Sequence, residues 1–203
     1  MVRVGFIVEG DSEKVLIESE GFKRWAAQQG LEICQPVINA KGGGNLLPHY
    51  IEPMLGQLSR GDPQHIVVLT DLDDAPDIAA VKERISLQHT NLIFVAVKAL
   101  EAWFLADTQA MCGWLKIPSF AEPDPENTPG MPWDHLGAVA KLLGARGPGP
   151  SKVIFARNLC KLHDFQLPRA AKHPACPSAR EFHDALIALG AEGGRGGAGG
   201  GST

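Results

Sequence analysis

Two apolar runs that each stop on a carboxylate constrain this chain more than any other feature. The first reads Val4-Gly5-Phe6-Ile7-Val8-Glu9-Gly10-Asp11-Ser12-Glu13, the second His65-Ile66-Val67-Val68-Leu69-Thr70-Asp71-Leu72-Asp73-Asp74. Short runs rich in β-branched residues read as buried strands. A buried strand that ends in an acidic residue delivers that charge to the C-terminal edge of a sheet, where open α/β folds hold their ligands. Placed side by side, the two runs bring Glu9, Asp71 and Asp73 together. Clustered carboxylates repel one another unless a cation neutralises them, and an all-oxygen donor set suits Mg²⁺ or Mn²⁺. The pattern points to metal-assisted phosphate chemistry.

The periodicity around these runs is that of alternating strands and helices. Val2–Val8 reads as a strand, followed by a helix that Asp11 or Ser12 caps and that runs to Gln29, where Gly30 stops it. A strand over Leu31–Ile38, a flexible loop over residues 39–45 and a helix over Leu46–Leu58 come next. Ile66–Thr70 is the strand that delivers Asp71, Pro76 opens a helix to Gln88, Asn91–Val97 is a fourth strand, and helical spacing runs from Ala99 to Trp114. Such alternation over short connections predicts an α/β fold with an open, mainly parallel sheet flanked by helices. Prolines at 118, 123, 125, 129 and 132 break any regular element across Ile117–Trp133. Beyond them, helices over Asp134–Leu143, Ser151–His163 and Ser178–Leu189 form a C-terminal helical appendage. The expected division is an α/β core over 1–116, a proline-rich loop over 117–133, a helical part over 134–190 and a disordered glycine-rich tail over 191–203.

Composition narrows the function class. The 203 residues suffice for one sizeable core. No apolar run approaches the ~20 residues needed to span a bilayer, and the first residues lead into a charged strand rather than a signal peptide. Cys34, Cys112, Cys160 and Cys176 form no C-x-x-C pair. The expectation is a cytoplasmic protein with reduced thiols and no membrane partner. The net charge of −4 is unevenly spread: residues 1–140 carry 10 Lys/Arg against 19 Asp/Glu, whereas residues 141–172 carry seven Lys/Arg against Asp164 alone. A basic stretch beside an acidic domain suits a phosphate-binding surface next to a metal site, with Lys41, Lys152, Arg157 and Lys161 as candidate nucleic-acid contacts. A solvated helical face would give the same composition.

Glu13 lies one helical turn beyond Glu9 and can face the same cleft, although a helix N-terminus also attracts acidic residues through its dipole. Glu9 directly follows Phe6-Ile7-Val8, where a carboxylate costs desolvation unless it is paired. Strand alternation sends Asp71 and Asp73 to one side while Leu72 packs inward; Asp74 and Asp77 are explained as turn and capping residues. Glu101, after the fourth strand, is either a further metal ligand or a first-turn helix glutamate. Lys98 could stabilise charge developing on a phosphoryl group, or form a salt bridge. Gly42–Gly44 could offer N–H groups to a phosphate but lacks the P-loop pattern, so a plain flexible loop is the alternative. The seven histidines show no metal-ligand spacing, and no covalent-hydrolase motif is present.

With these residues in place, the chain resembles the Toprim fold of primases, topoisomerases and OLD-type nucleases. That fold has an acidic residue after its first strand, matched by Glu9, and a D-x-D after a later strand, matched by Asp71 and Asp73. Glu13 matches the second glutamate of the OLD-type first motif. The chain is more closely similar to a bacterial Toprim-like family, domain-of-unknown-function family 4276. The segments that carry this are the first motif, Lys41-Gly42-Gly43-Gly44-Asn45, Asp71-Leu72-Asp73, Leu100-Glu101-Ala102-Trp103-Phe104-Leu105-Ala106-Asp107 and Cys176-Pro177-Ser178-Ala179-Arg180-Glu181-Phe182. The resemblance implies a Toprim-like core and association with an AAA- or ABC-type ATPase in mobile-element or phage-defence settings. Two departures stand out: no ATPase segment lies within the 203 residues, and only Glu101 is available for a third acidic motif. The resulting expectation is a nuclease or related phosphoryl-transfer enzyme in which Glu9, Asp71 and Asp73 hold Mg²⁺ or Mn²⁺ and Glu13 and Glu101 support a second ion. Its expected partners are DNA or RNA, an ATPase and a second copy of the chain. The alternatives are a non-catalytic module that regulates an ATPase or binds nucleic acid, and a small-molecule phosphohydrolase.

Overall fold

The structure is a computed structural model, and it describes residues 1–85 and 92–195. Among these, β1 (Val2–Val8), β2 (Leu31–Ile33), β3 (Ile38–Asn39), β4 (His65–Asp71) and β5 (Leu92–Ala96) form one sheet. The order is β2-β1-β4-β5, with β3 pairing to β1 further along the same edge as β2, and every pairing is parallel. The helices that cross between strands are α1 (Asp11–Glu18), α2 (Glu20–Gln28), α3 (Pro48–Leu58) and α4 (Ile78–Ile85). After β5 come α5 (Glu101–Ala106), α6 (Thr108–Leu115), α7 (Pro132–Leu142), α8 (Lys152–Leu162), α9 (Leu167–Ala171) and α10 (Pro177–Arg195). The protein is an α/β fold with a parallel sheet between helices, as the strand–helix alternation predicts. Among the described residues no helix is long and apolar enough to cross a membrane.

Strand alternation sorts the apolar residues onto two faces. Val4, Phe6, Val8, Val67, Leu69 and Phe94 belong to the larger core. Ile7, Val68, Ile93 and Val95 face Ile51 and Leu58 of α3 and Val81 and Ile85 of α4. The larger core also holds the helices that follow the proline-rich loop. Phe182 of α10 is fully buried, with ring centroids 5.3 Å from Phe94 and Trp103, 6.3 Å from Phe22 and 6.4 Å from Phe6.

The topology fixes where a ligand can sit. From the central β1 the chain steps outward to β2 and β3, then crosses back to β4 and β5 on the other side. Connections that leave in opposite directions open a crevice outside the carboxyl ends of the two strands between them. Here those strands are β1 and β4, and the residues at their ends are Glu9 and Asp71.

Several boundaries differ from the sequence reading. The helix expected to reach Gln29 breaks at Ser19, which is extended (φ −65°, ψ 146°) and caps α2 by accepting a hydrogen bond from the Phe22 N–H at 3.2 Å. The strand expected over Leu31–Ile38 is split into β2 and β3 around Pro36, which has no N–H for a ladder. Helical spacing over Ala99–Trp114 is interrupted at Asp107, whose carboxylate caps α6 through the Ala110 N–H. Asp77 rather than Pro76 introduces α4, accepting from the Ala80 N–H at 2.8 Å. The predicted ends at Gln88 and Asn91 lie outside the described residues. The short α9 was not foreseen, because its five residues cannot show a helical period.

Of the glycine-rich tail expected from residue 191, residues 191–195 belong to α10 instead, and residues 196–203 lie outside the described residues. Close packing explains why glycine is used in this helix. A Cβ at Gly190 would lie 1.8 Å from the Gln29 carbonyl oxygen, and one at Gly193 would lie 2.7 Å from Val2 Cγ2. Gly190→Ala is therefore expected to destabilise the fold by about 1–3 kcal/mol, despite alanine's better helix propensity. A thermal unfolding midpoint at or above that of the wild type would show that α10 does not dock against this turn.

Candidate functional site

A cleft of about 500 Å³ opens at the carboxyl ends of β1 and β4. Glu9, Glu13, Asp71, Asp73 and Glu101 all line it, together with Asp11 and the cations Lys41 and Lys152. Every carboxylate that the sequence pattern singles out for metal binding is thus brought to one place.

Glu9 is held most firmly. Its Oε1 accepts from the Gly43 N–H at 2.9 Å, and its Oε2 accepts from the Thr70 hydroxyl and, at 3.1 Å, from the Asp71 N–H. The loop 41–45 is therefore not a free phosphate cradle: its central N–H is taken by a carboxylate. It is an ordered turn, with Lys41 and Gly42 at positive φ (63° and 119°) and the Asn45 amide bonded to the Ala40 carbonyl at 2.8 Å. A Cβ on Gly43 would meet Glu9 Oε1 at 3.1 Å, so glycine permits the close approach. Thr70, fully buried in β4, was not anticipated. The available signal was a lone hydroxyl directly after Val67-Val68-Leu69.

Asp71 ends β4 and its Oδ1 accepts from the Leu100 N–H at 2.9 Å. Burial pushes its carboxyl well above the ordinary range, and the charges of Glu13, Glu101, Glu9 and Asp73 push it further. Asp73 reaches the cleft by a different route from the one expected. The strand stops at Asp71, so alternation no longer applies. Asp73 instead takes a left-handed conformation (φ 48°), which aspartate tolerates, and donates its N–H to the Lys98 carbonyl at 2.8 Å. Its pKa is raised by partial burial and by Glu9.

Glu13, on α1, is 4% exposed. Burial, then the like charges of Glu101 and Glu9, raise its pKa from 4.5 to about 7. Its carboxylate folds over Gly10, where a Cβ would lie 2.9 Å from Oε2. Glu101 opens α5, is 2% exposed, and meets Lys152 Nζ at 3.4 Å. Burial raises its pKa, and the lysine partly offsets this. Lys152 is the first residue of α8, so the helical part supplies a countercharge to the sheet's acidic edge. At the rim, Lys41 pairs with Asp11 at 3.0 Å and holds its carboxyl below the usual range; the Asn39 amide also donates to Asp11, at 2.7 Å.

Three residues proposed from the sequence do not line the cleft. The Lys98 ammonium donates to the Thr128 and Gly130 carbonyls and ties down the proline-rich loop. Arg157 and Lys161 border a separate hollow among Glu18, Glu20 and Asp164. Conversely, Arg84, which the sequence reading passed over, lines a hollow of about 380 Å³ that also reaches Glu9, Asp71 and Asp73.

No family model, curated protein or solved structure matches this chain.

The donor chemistry of the cleft fits a hard divalent cation. Its donors are carboxylate oxygens, and Glu13, Asp71, Asp73 and Glu101 all have raised pKa values, chiefly from burial and secondarily from one another's charge. The geometry is open, however. Among the described residues no group of three or more His, Cys, Asp and Glu is spaced to hold a metal ion. Glu9 and Asp71 are bonded to protein donors instead, so ligation by this set requires the side chains to close inward.

The raised values predict a pH dependence for the metal-free protein. The Glu13 carboxyl binds its proton more tightly in the folded state (about 7) than in the unfolded chain (4.5). The stability contributed by that proton is complete below pH 4.5 and is lost as pH rises through 7. The loss is on the order of 3 kcal/mol for this group, and Asp71, Asp73 and Glu101 act in the same direction. Thermal unfolding in a chelator should therefore show a midpoint that falls steadily from pH 5 to pH 8. A midpoint that rises over this window would contradict the crowding of charge.

Proposed function

We propose that this chain is a Mg²⁺- or Mn²⁺-dependent phosphodiester hydrolase acting on nucleic acid. The observation that carries the reading is the convergence of Glu9, Glu13, Asp71, Asp73 and Glu101, from separate segments, on one cleft at the switch point of the sheet. A bound divalent cation would polarise the phosphodiester and lower the pKa of an attacking water. Glu9, Asp71 and Asp73 would hold it, with Glu13 and Glu101 extending the donor set. Lys152 and Lys41, at the mouth of the cleft, can pair with phosphate oxygens. Resemblance to the Toprim-like family supports the same reading, and with it a cytoplasmic setting and an ATPase partner in defence against mobile elements.

A second reading is a non-catalytic partner module. It is favoured by the hydrogen bonds that occupy Glu9 and Asp71 and by the lack of a metal-spaced group among the described residues.

The deciding experiment is cleavage of labelled single- and double-stranded DNA and RNA, with Mg²⁺ or Mn²⁺, by the wild type and Asp71→Ala. Cleavage by the wild type alone is the expected result. Equal cleavage by the variant would remove the carboxylate cleft as its source, and inactivity of both would favour the module.

A further inference from the structure

The helix that closes the acidic cleft also borders a second cavity of opposite character. Lys152 and Val153 line the carboxylate cleft, while Ser151, Ile154 and Asn158 of the same segment line a cavity of about 400 Å³. This cavity is flanked by the loop Gly147-Pro148-Gly149-Pro150 and contains Trp114, Lys116, Arg146 and His163. Among the described residues none that lines it is acidic, in a chain whose net charge is −4.

The two strong cations here are not committed elsewhere. Lys116 and Arg146 are both exposed, and among the described residues neither forms an ion pair. By contrast, Lys152 and Arg169 of the neighbouring basic stretch are paired with Glu101 and Asp107. His163 is held below its ordinary pKa by burial and by Lys116, so at neutral pH it is an uncharged hydrogen-bonding group. Trp114 is half-buried and fixed edge-on against Phe155, with ring centroids 5.0 Å apart at 81°. A fixed indole flanked by unpaired cations offers one surface for a flat ring and two partners for phosphates. Asn158, exposed on α8, adds an amide able to donate and accept.

That combination selects a ligand that is both polyanionic and aromatic. A phosphate or an acidic peptide would use the cations and leave the indole idle. A duplex keeps its bases stacked on one another and cannot present a ring to Trp114. An unpaired strand can do both, since stacking on an aromatic side chain tolerates any base. We infer that this cavity binds a nucleotide of a single-stranded nucleic acid whose backbone passes the first turn of α8 into the acidic cleft. The inference rests on the hydrolase reading only for the fate of the strand. Its capture depends on Trp114, Lys116 and Arg146.

The test is binding without chemistry: fluorescence anisotropy of end-labelled fifteen-nucleotide oligothymidylate and oligouridylate, in chelator, over a range of salt. The wild type should bind at least one of them. Lys116→Glu combined with Arg146→Glu, both at exposed positions, should weaken binding at least about tenfold. The salt slope should fall by about 1.4, the value for two phosphate contacts on a single strand. Trp114→Ala should lose roughly tenfold. Trp114→Phe, which keeps an aromatic ring against Phe155, should abolish the part of the tryptophan quenching that accompanies binding. The inference is overturned if the wild type binds neither strand, if the charge-reversed variant binds as well as the wild type, or if a duplex of equal length binds as tightly. Equal displacement by uridine monophosphate or by polyglutamate would also overturn it, leaving a free-nucleotide or general anion site. Failure here is separable from failure of the hydrolase reading. Metal-dependent cleavage that ignores the charge reversal removes this cavity and keeps the enzyme. Binding through Lys116 and Arg146 without any cleavage does the opposite.

Discussion

Asp71→Asn should make the metal-free protein more stable at pH 8 while abolishing divalent-ion-dependent cleavage. The amide retains an Oδ1 to accept from the Leu100 N–H, so the backbone contact at 2.9 Å survives. What disappears is a charge that burial disfavours and that Glu13, Glu101, Glu9 and Asp73 all oppose. Relief of that repulsion should contribute about 1–2 kcal/mol, a rise of several degrees in the unfolding midpoint for a chain of this size. Adding Mg²⁺ or Mn²⁺ should reverse the ranking, because a cation that binds only the folded wild type stabilises it by mass action and leaves the variant behind. Unfolding curves of both proteins, in chelator and in millimolar metal, give all four values. A variant less stable than the wild type in chelator would mean that the Asp71 carboxylate serves the fold rather than a cation.

The largest loss of stability is expected from Asp107→Ala, far from any chemistry. Asp107 is fully buried between α5 and α6. Its Oδ1 accepts from the Ala110 N–H at 3.2 Å and Arg169 Nε at 2.8 Å; its Oδ2 accepts from the Gln166 N–H and Arg169 Nη2, each at 2.9 Å. One carboxylate thus caps a helix, anchors the start of α9 and neutralises a guanidinium. Alanine removes all four acceptor contacts and leaves Arg169, three-quarters buried, with only the Asp164 carboxylate at 3.4 Å and the Asp164 carbonyl as partners. Breaking a buried pair from one side costs about 3–5 kcal/mol, and the Asp164 contacts that Arg169 keeps put the expected loss at the lower end, still a large share of what a domain has to lose. Urea titration should show a markedly lower midpoint with an unchanged slope. A loss under about 1 kcal/mol would show that water replaces the carboxylate.

The two acidic motifs were legible because their signal is local: an apolar run fixes a strand, and the residue after it falls at the sheet edge. That argument places Glu9 and Asp71 without further information. It reaches Asp73 for the wrong reason, since strand alternation ends one residue too early and a left-handed turn takes over. It could not identify the partners of Glu9, because Gly43 and Thr70 lie 34 and 61 residues away and their local signals, a glycine run and a lone hydroxyl at a strand end, do not say which group they bond. The breaks at Ser19 and Asp107 were hidden for a related reason. Each is a polar residue inside a plausible helical period, and only its hydrogen bonds show that it caps instead of continuing. Charge counting found the basic stretch over residues 141–172 but not its internal division. It grouped Lys152, which faces the carboxylates, with Arg157 and Lys161, which sit among other acids.

Phe182 has a consequence for how the molecule is made. The aromatic face formed by Phe6, Phe22 and Phe94 is covered by a ring that lies 176 residues after the first of them. Contacts this distant in the chain close late and slowly. A ribosome that has already produced all the strands therefore still carries a sheet whose aromatic face lacks the part of its cover that α10 supplies. The nascent chain completes this face only after residues 177–195 have cleared the exit tunnel.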